Sequence, residues 1–450
     1  MPTPAFRVAA TVFLSVLSLA GTAHAATMDV ARRVEPTLDR FLFTENPVTP
    51  LSAMTPAQQY LATHANPLVL HDSDSRVSQY VTGWAKAPRT AAYRNGTGVN
   101  LGNAPAMAET KAWQVTEKGK PVLVDGGWQM LDLRVPAART WWLYGADGKA
   151  SCNPSVEERG ALDLYACGYK SIWIDNALTT PKQGFTPTPT SIPEKSWATA
   201  VLTLLKQLKA KKPAGTTFTI NMHWTDTSFG YASNPKLKAT DPAVRAGKYA
   251  DQVIVEGGAI DAGIHYPFAA RVPWSYRRLL TFADAMHKRG TKLQWEMTSS
   301  VDLTRGRTPV SSAPQLPALP DCRDDAAAGV WTVGSPTWKG YVQAAAFNWS
   351  TAVLSWKKGD GVGDMCIYPD RGWVGYTANL GKPTGKRVDK KGLLTRKLQR
   401  GYVVLNPNDT AKRVKLPKAG VNLASTAYPQ PTAKVRAVVI PPRSAAVIQY

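Results

Sequence analysis

The sequence predicts an α/β protein: a (β/α)8, or TIM, barrel followed by a small C-terminal antiparallel β-sandwich. Three observations predict it. About eight short apolar runs alternate with helical stretches along most of the 450 residues, the pattern of successive right-handed βαβ units. Several of those runs end in an acid, as strands do when they deliver side chains to the C-terminal face of a barrel. From about Leu393 the helical spacing stops and short alternating strands replace it,. A doubly wound open sheet shares the alternation, but no glycine-rich phosphate loop follows any strand,.

In chain order, residues 1–25 read as a secretory signal peptide. Arg7 precedes an apolar run of about 13 residues, and Ala23-His24-Ala25 supplies the cleavage site,. The run is too short to span a bilayer. Residues 26–66 read as a lead-in segment with a short helix capped by Thr55 and opened by Pro56,. Residues 67–72 (PLVLHD) are the first candidate barrel strand. Residues 90–95 (TAAYRN) are the second, stopped by the Asn95-Gly96 turn signal,. A helix is expected over residues 104–116. Residues 121–125 (PVLVD) are the third strand, and helical patches at 137–144 and 156–166 lead to the fourth.

Strand four, residues 171–174 (SIWI), is entered through Cys167-Gly168 and ends in Asp175-Asn176. Its composition suits burial on both faces. A Thr- and Pro-rich excursion follows, then the clearest helix, residues 194–212. There Trp197, Val201, Leu204, Leu205 and Leu208 recur at helical spacing, and lysines gather at the C-terminal end, where the macrodipole favours them,. Strand five is 216–224 (TTFTINMHW), strand six 252–256 (QVIVE) and strand seven 292–297 (KLQWEM). A helix over 274–289 stops at Gly290. The last strand lies at 352–356 or at 363–368. In the tail, residues 400–409 form a strand and turn, 412–416 alternate until Pro417 ends them, and 435–440 and 444–450 are strands. The barrel is thus placed at 26–390 and the β-sandwich at 391–450.

A composition of 44% hydrophobic and 19% charged residues is that of a soluble globular protein,. The formal charge of +22 favours acidic partners, whether anionic polysaccharide, envelope surfaces or nucleic acid,, but the Lys and Arg are scattered through helices and the last 70 or so residues, the pattern of a solvated basic surface,. No nucleic-acid motif accompanies it, no later stretch is apolar enough for a membrane helix, and no cofactor is expected. Four cysteines, Cys152, Cys167, Cys322 and Cys366, lie in the exported part. They allow three pairings, of which nearness in sequence favours Cys152–Cys167 and Cys322–Cys366. No C-x-x-C is present, and His71-Asp72-Ser73-Asp74, His223 and His265 lack metal-motif spacing,. G-x-S-x-G is absent as well,.

The chemistry-bearing residues are acids. Asp175, Glu256 and Glu296 end strands four, six and seven, and Asp125 and Asp132 lie at or just past strand three. Two carboxylates converging on a sugar ring suit glycosidic cleavage: one protonates the leaving oxygen, the other attacks or activates water. Glu256 ends an apolar strand and is followed by Gly257-Gly258, which leave room for a ligand. For Asp125 and Asp132 a structural or substrate-orienting role is expected. Trp128, Trp173, Trp224 and Trp295, among 15 tryptophans, lie on or beyond strands. Indole faces stack on sugars, and core packing explains any one of them equally well.

With these residues in place, the chain resembles the glycoside hydrolase-like barrel family called hypothetical glycosyl hydrolase family 15, a relative of the polygalactosaminidase-like barrels. The matching pieces are Leu131-Asp132-Leu133 with Trp141-Trp142, the segment from Gly168 through Ile174-Asp175-Asn176, and Val253-Ile254-Val255-Glu256-Gly257-Gly258. In the tail they are Gly401-Tyr402-Val403-Val404-Leu405-Asn406-Pro407 and Ile440-Pro441-Pro442-Arg443-Ser444-Ala445. Where the family has Gly-Asp-Gly before the strand, this chain has Gly168-Tyr169-Lys170-Ser171. The resemblance implies a secreted (β/α)8 hydrolase with a C-terminal β-sandwich. Its strand-four Asp and strand-six acid would be the catalytic pair, here Asp175 and Glu256.

The expectation is therefore an exported polysaccharide hydrolase of the retaining type. Asp175 would be the nucleophile and Glu256 the general acid/base. Asn176, Asn221 and Glu296 would orient the sugar, with Asp132, Trp128 and Trp224 also in contact with it. The alternative is a non-catalytic carbohydrate-binding or envelope-associated barrel that keeps the tryptophans and basic surface but holds its acids far apart or neutralised.

Overall fold

A parallel sheet and an antiparallel sheet organise the chain. The computed structural model describes residues 39–44, 68–70, 90–124, 126–146, 148–152, 159–182, 184–222, 239–260, 276–297, 336–364, 373–376, 378–427 and 431–450. The signal segment, the helix at Thr55, Asp125, Trp224, Cys322, Cys366, His71, Asp72, His223 and His265 lie outside the described residues.

The parallel sheet has eight strands: β1 (Asp39–Thr44), β2 (Leu68–Leu70), β3 (Thr90–Asn95), β4 (Ser171–Asp175), β5 (Thr217–Asn221), β6 (Gln252–Glu256), β7 (Lys292–Met297) and β8 (Gly361–Asp364). Each pairs with its sequence neighbours, and β1 pairs with both β2 and β8, so the ring of pairings closes. Parallel neighbours need a crossover. From β3 onward the crossovers carry helices. They are α1 (Pro136–Tyr144) and α2 (Ala161–Ala166), then α3 (Glu194–Lys211), α4 (Pro242–Ala246), α5 (Tyr276–Lys288) and α6 (Pro336–Ser355). The connections on either side of β2 lie outside the described residues.

Alternate strand residues point to opposite faces. Ile172, Ile174, Phe218, Ile220, Val253 and Val255 join the main core beneath the helices. Ala91, Tyr93, Trp173 and Ile254 form a separate cluster inside the ring. Burial on both faces is why these strands read as unbroken apolar runs. Helix α3 packs the predicted stripe of Trp197, Val201, Leu204, Leu205 and Leu208. Each such side chain contributes about 1.5–3 kcal/mol through removal from water. The Trp197 indole also donates to the Leu178 carbonyl at 2.9 Å, which ties the segment after β4 to its crossover helix.

Ahead of β4, Cys152 and Cys167 form a disulfide. Buried Arg159 donates to both sulfurs, at 3.4 and 3.2 Å. Burial pushes the neighbouring Asp163 carboxyl up, opposed by the Ser151 and Gly160 amides that donate to it and by Arg94 and Arg159. These contacts fasten the start of the strand whose far end carries Asp175.

The antiparallel sheet has six strands: β9 (Val388–Lys390), β10 (Leu393–Leu398), β11 (Gly401–Asn406), β12 (Lys412–Asn422), β13 (Val435–Ile440) and β14 (Ser444–Gln449). Their order is β9-β10-β11-β14-β12-β13. Val404, Leu416, Val438, Ile440, Ala446 and Ile448 make a core of their own, while Val403, Leu405 and Val447 face the main one. Arg396 reaches α6, donating to the Val353 and Leu354 carbonyls at 2.8 and 3.1 Å. Among the described residues no helix is long and apolar enough to cross a membrane.

Four expectations are corrected. The lead-in segment contains β1, a barrel strand. Its sequence DRFLFT opens on two charges and carries no long apolar run, and its strand identity comes from parallel pairing to β2 and β8. Residues 121–124, the described part of the expected third strand, are not a barrel strand. Leu123–Val124 pairs antiparallel with Trp128–Met130 and with Phe185–Thr186, in a small sheet completed by Gly98–Asn100. Gly126, with a φ of 72°, turns the chain back there, and Val122 and Val124 are apolar because that small sheet is itself buried. Residues 352–355 are the end of α6, since an apolar run does not declare its period,; β8 follows it. Pro417 does not end a strand: β12 continues through it, with the register shifting between Lys415 and Gly420, as proline tolerates at an irregularity.

Candidate active site

Parallel register decides which side chains meet. Asn95 is level with Asp175, Asn221 with Ile254, and Glu256 with Glu296. The carboxyl ends of β3 to β7 therefore bring Asn95, Asp175, Asn221, Glu256 and Glu296 to one end of the sheet, where a barrel keeps its chemistry.

Asp175 is half-buried and held from three sides. The Tyr93 hydroxyl donates to its Oδ2 at 2.8 Å. Asn221 Nδ2 and the Asn176 amide both donate to its Oδ1 at 2.9 Å. Asn176 holds its place with a φ of 50°, a left-handed conformation that asparagine accepts more readily than most residues. Its carbonyl accepts from the Thr97 hydroxyl at 3.2 Å. Donors in this number stabilise a carboxylate charge.

Glu256 lies across from Asp175 on β6 and is exposed. The same Asn221 Nδ2 donates to its Oε2 at 2.5 Å. One amide nitrogen thus bridges acids of two strands. One nitrogen within hydrogen-bond reach of both acids keeps their carboxyl groups close together. Glu296, next to Glu256 on β7, is 1% exposed, and its carbonyl accepts from the Gly257 amide at 3.1 Å.

Trp128 is half-buried and packs on the cluster inside the ring, its ring centroid 5.9 Å from that of Tyr93. It thus stands beside Tyr93, whose hydroxyl holds Asp175. Trp173 lies within that cluster, whereas Trp295 belongs to the outer core. The Asp132 carboxylate is gripped by Arg134 in a two-pronged pair with both legs at 2.8 Å.

The structure therefore gathers Asp175, Asn176, Asn221, Glu256, Glu296 and Trp128, and it holds Asp132 in a local ion pair. Trp224 lies outside the described residues. Sequence reasoning overlooked Tyr93. Its signal was parity: on β3 it shares a face with Ala91 and Asn95 and is level with Trp173 on β4, one step from Asp175 on the inward face. Among the described residues no three His, Cys, Asp or Glu side chains gather as a metal site.

No protein-family model matches the sequence, and no curated protein matches it. Solved structures resemble the chain weakly, among them the following three. The glycoside hydrolase domain of PelA from Pseudomonas aeruginosa is 16% identical over 57% of this chain and 83% of that one, with a TM-score of 0.34. The noncanonic maltogenic alpha-amylase AmyB from Thermotoga neapolitana is 10% identical over 92% and 96%, at 0.45. Abp, a GH27 β-L-arabinopyranosidase from Geobacillus stearothermophilus, is 7% identical over 94% and 98%, at 0.46. Likeness at this level assigns neither residues nor a substrate to this chain.

Proposed function

We propose that this protein is a glycoside hydrolase that cleaves a polysaccharide with the carboxylate pair Asp175 and Glu256. The observation that carries the reading is the bridge by Asn221, which draws acids from β4 and β6 together at the carboxyl ends of the strands. A carboxyl separation of roughly 5–5.5 Å is the retaining arrangement; roughly 6.5–9.5 Å leaves room for the water of inversion. A bridge through a single amide nitrogen favours the closer, retaining arrangement.

In that mechanism Asp175 attacks the anomeric carbon while Glu256 protonates the departing oxygen. The glycosyl–aspartate ester then breaks as Glu256 takes a proton from the incoming water. The roles follow the surroundings. Asp175, held by Tyr93, Asn176 and Asn221, has the fixed charge a nucleophile uses. Glu256 is exposed, within reach of a leaving oxygen and of water. Glu296 and Asn176 orient sugar hydroxyls, and Trp128 offers a stacking face. The motif order resembling hypothetical glycosyl hydrolase family 15 supports the same assignment. A (β/α)8 catalytic unit over 26–390, a β-sandwich unit over 391–450 and export by residues 1–25 complete the proposal. The Cys152–Cys167 disulfide fits an oxidising compartment,.

The test is release of reducing ends from neutral, amino-sugar and acidic polysaccharides by wild type, Asp175→Asn and Glu256→Gln. Wild type should release ends from at least one polymer. Each variant should be slowed by about 10³-fold with an unchanged circular dichroism spectrum. Binding without release by all three proteins alike would replace this reading with that of a non-catalytic carbohydrate-binding barrel.

A further inference from the structure

Residues 391–450 carry eleven Lys or Arg and a single acid, Asp409. That acid is already taken: buried Arg443 donates to it at 2.7 Å. The remaining cations are concentrated on the hairpin formed by β12 and β13. Its inner side supplies Leu416, Val438 and Ile440 to the core of the sheet. Its outer side carries exposed Arg413 level with Val439, and exposed Lys415 level with Ala437. Lys418, Lys434 and Arg436 are exposed at its margin. Among the described residues none of these five cations is in an ion pair.

Like charges gathered on one face of a two-stranded ribbon repel one another, and solubility alone is served as well by mixed signs. β12 pairs with β13 over Lys412–Lys415 and with β14 only at Val421 and Asn422, so the stretch that carries Arg413, Lys415 and Lys418 belongs to a two-stranded ribbon standing off the rest of the sheet. We propose that this face docks a carboxylate-bearing acidic polysaccharide, apart from the carboxylate pair of the barrel. Side chains two residues apart on a strand stand about 6.8 Å apart, so the face presents a row of cations to an extended polymer rather than a cup for one small anion. Among the described residues of the hairpin it offers no exposed aromatic platform of the kind on which nucleic-acid bases stack,. Val439 is its one exposed large apolar residue among those described, too little to insert into a bilayer. The inference extends the polysaccharide reading but does not depend on Asp175 or Glu256.

The experiment measures binding of the whole chain to alginate, with dextran, duplex DNA and phosphatidylserine vesicles as comparisons, across a salt series. Alginate should bind, dextran should not, and affinity should fall steeply with salt. The double reversal Arg413→Glu with Lys415→Glu should lower alginate affinity about tenfold or more and flatten the salt slope. If that variant loses its native circular dichroism, Lys434→Glu with Arg436→Glu carries the same expectation. Asp175→Asn should bind like wild type, so loss of catalysis and loss of docking are separable. No binding at low salt, or equal binding by the reversal variants, overturns the proposal. Tighter binding of DNA or vesicles than of alginate also overturns it, because the face would then read phosphate.

Discussion

The mouth of the barrel and the C-terminal hairpin both present charge, and they treat it in opposite ways. At the mouth, Asp175 sits among fixed neutral donors from three elements, and a single amide couples it to Glu256. On the hairpin, Arg413 and Lys415 stand in water beside further cations. Charge held in a rigid hydrogen-bonded setting acts at bond length, where a small displacement matters greatly. Charge left in solvent acts at the range of the Debye length, is screened by salt and tolerates displacement. Substitutions at the mouth should therefore change rate at fixed stability, whereas those on the hairpin should change attraction and little else.

That contrast is tested most severely at the acids. Asp175→Asn and Glu256→Gln should each lower kcat by about 10³-fold, while the melting temperature stays near that of wild type. A large loss of stability would mean that the pair holds the barrel together. A control on the opposite face of the same strands should do the reverse. Trp295→Ala, in the outer core and fully buried, should cost about 3–5 kcal/mol in denaturant unfolding.

Asn221→Ala removes the bridge and leaves both acids in place. It should lower kcat by about 100-fold with a smaller change in KM, because it disturbs two charged groups at once,. Tyr93→Phe deletes one hydrogen bond to Asp175 and keeps the ring against Trp128. Its expected loss is about tenfold in kcat, the worth of one bond to a charged acceptor. Equal losses in the two variants would show that the bridge has no role beyond a single bond. The smallest effect belongs to the hairpin: Arg413→Ala should leave unfolding free energy within about 0.5 kcal/mol of wild type.

Much of the mouth was legible in the chain, residue by residue. Asp175, Glu256 and Glu296 stood out because each lies at or near the end of an apolar run, where a polar side chain signals a strand terminus. Asn176 and Asn221 were legible as polar residues at the same positions. Tyr93 was not, because an aromatic inside a strand is indistinguishable from core until its inward face and its neighbour are known. The strand count came out at eight through two compensating differences. Residues 121–124 have the composition of a barrel strand and pair elsewhere, whereas DRFLFT lacks that composition and pairs in the ring. Strand numbering from four onward was therefore unaffected, and Asp175 and Glu256 kept their places.

Short-range pattern accounts for the features that could be read from the chain alone. Helical spacing specified α3, closeness in the chain pointed to the Cys152–Cys167 bridge, and the shift to alternating strands marked the C-terminal sheet. The excess of cations was equally plain. Which strands are neighbours, and which side chains share a hydrogen bond, emerged only in three dimensions. Tyr93 and Asp175 are 82 residues apart, and Asn221 lies 46 from Asp175 and 35 from Glu256. Periodicity records which face of an element avoids water, whereas a site forms where the ends of separate elements converge. That convergence is set by strand register and ring closure, which no local window contains.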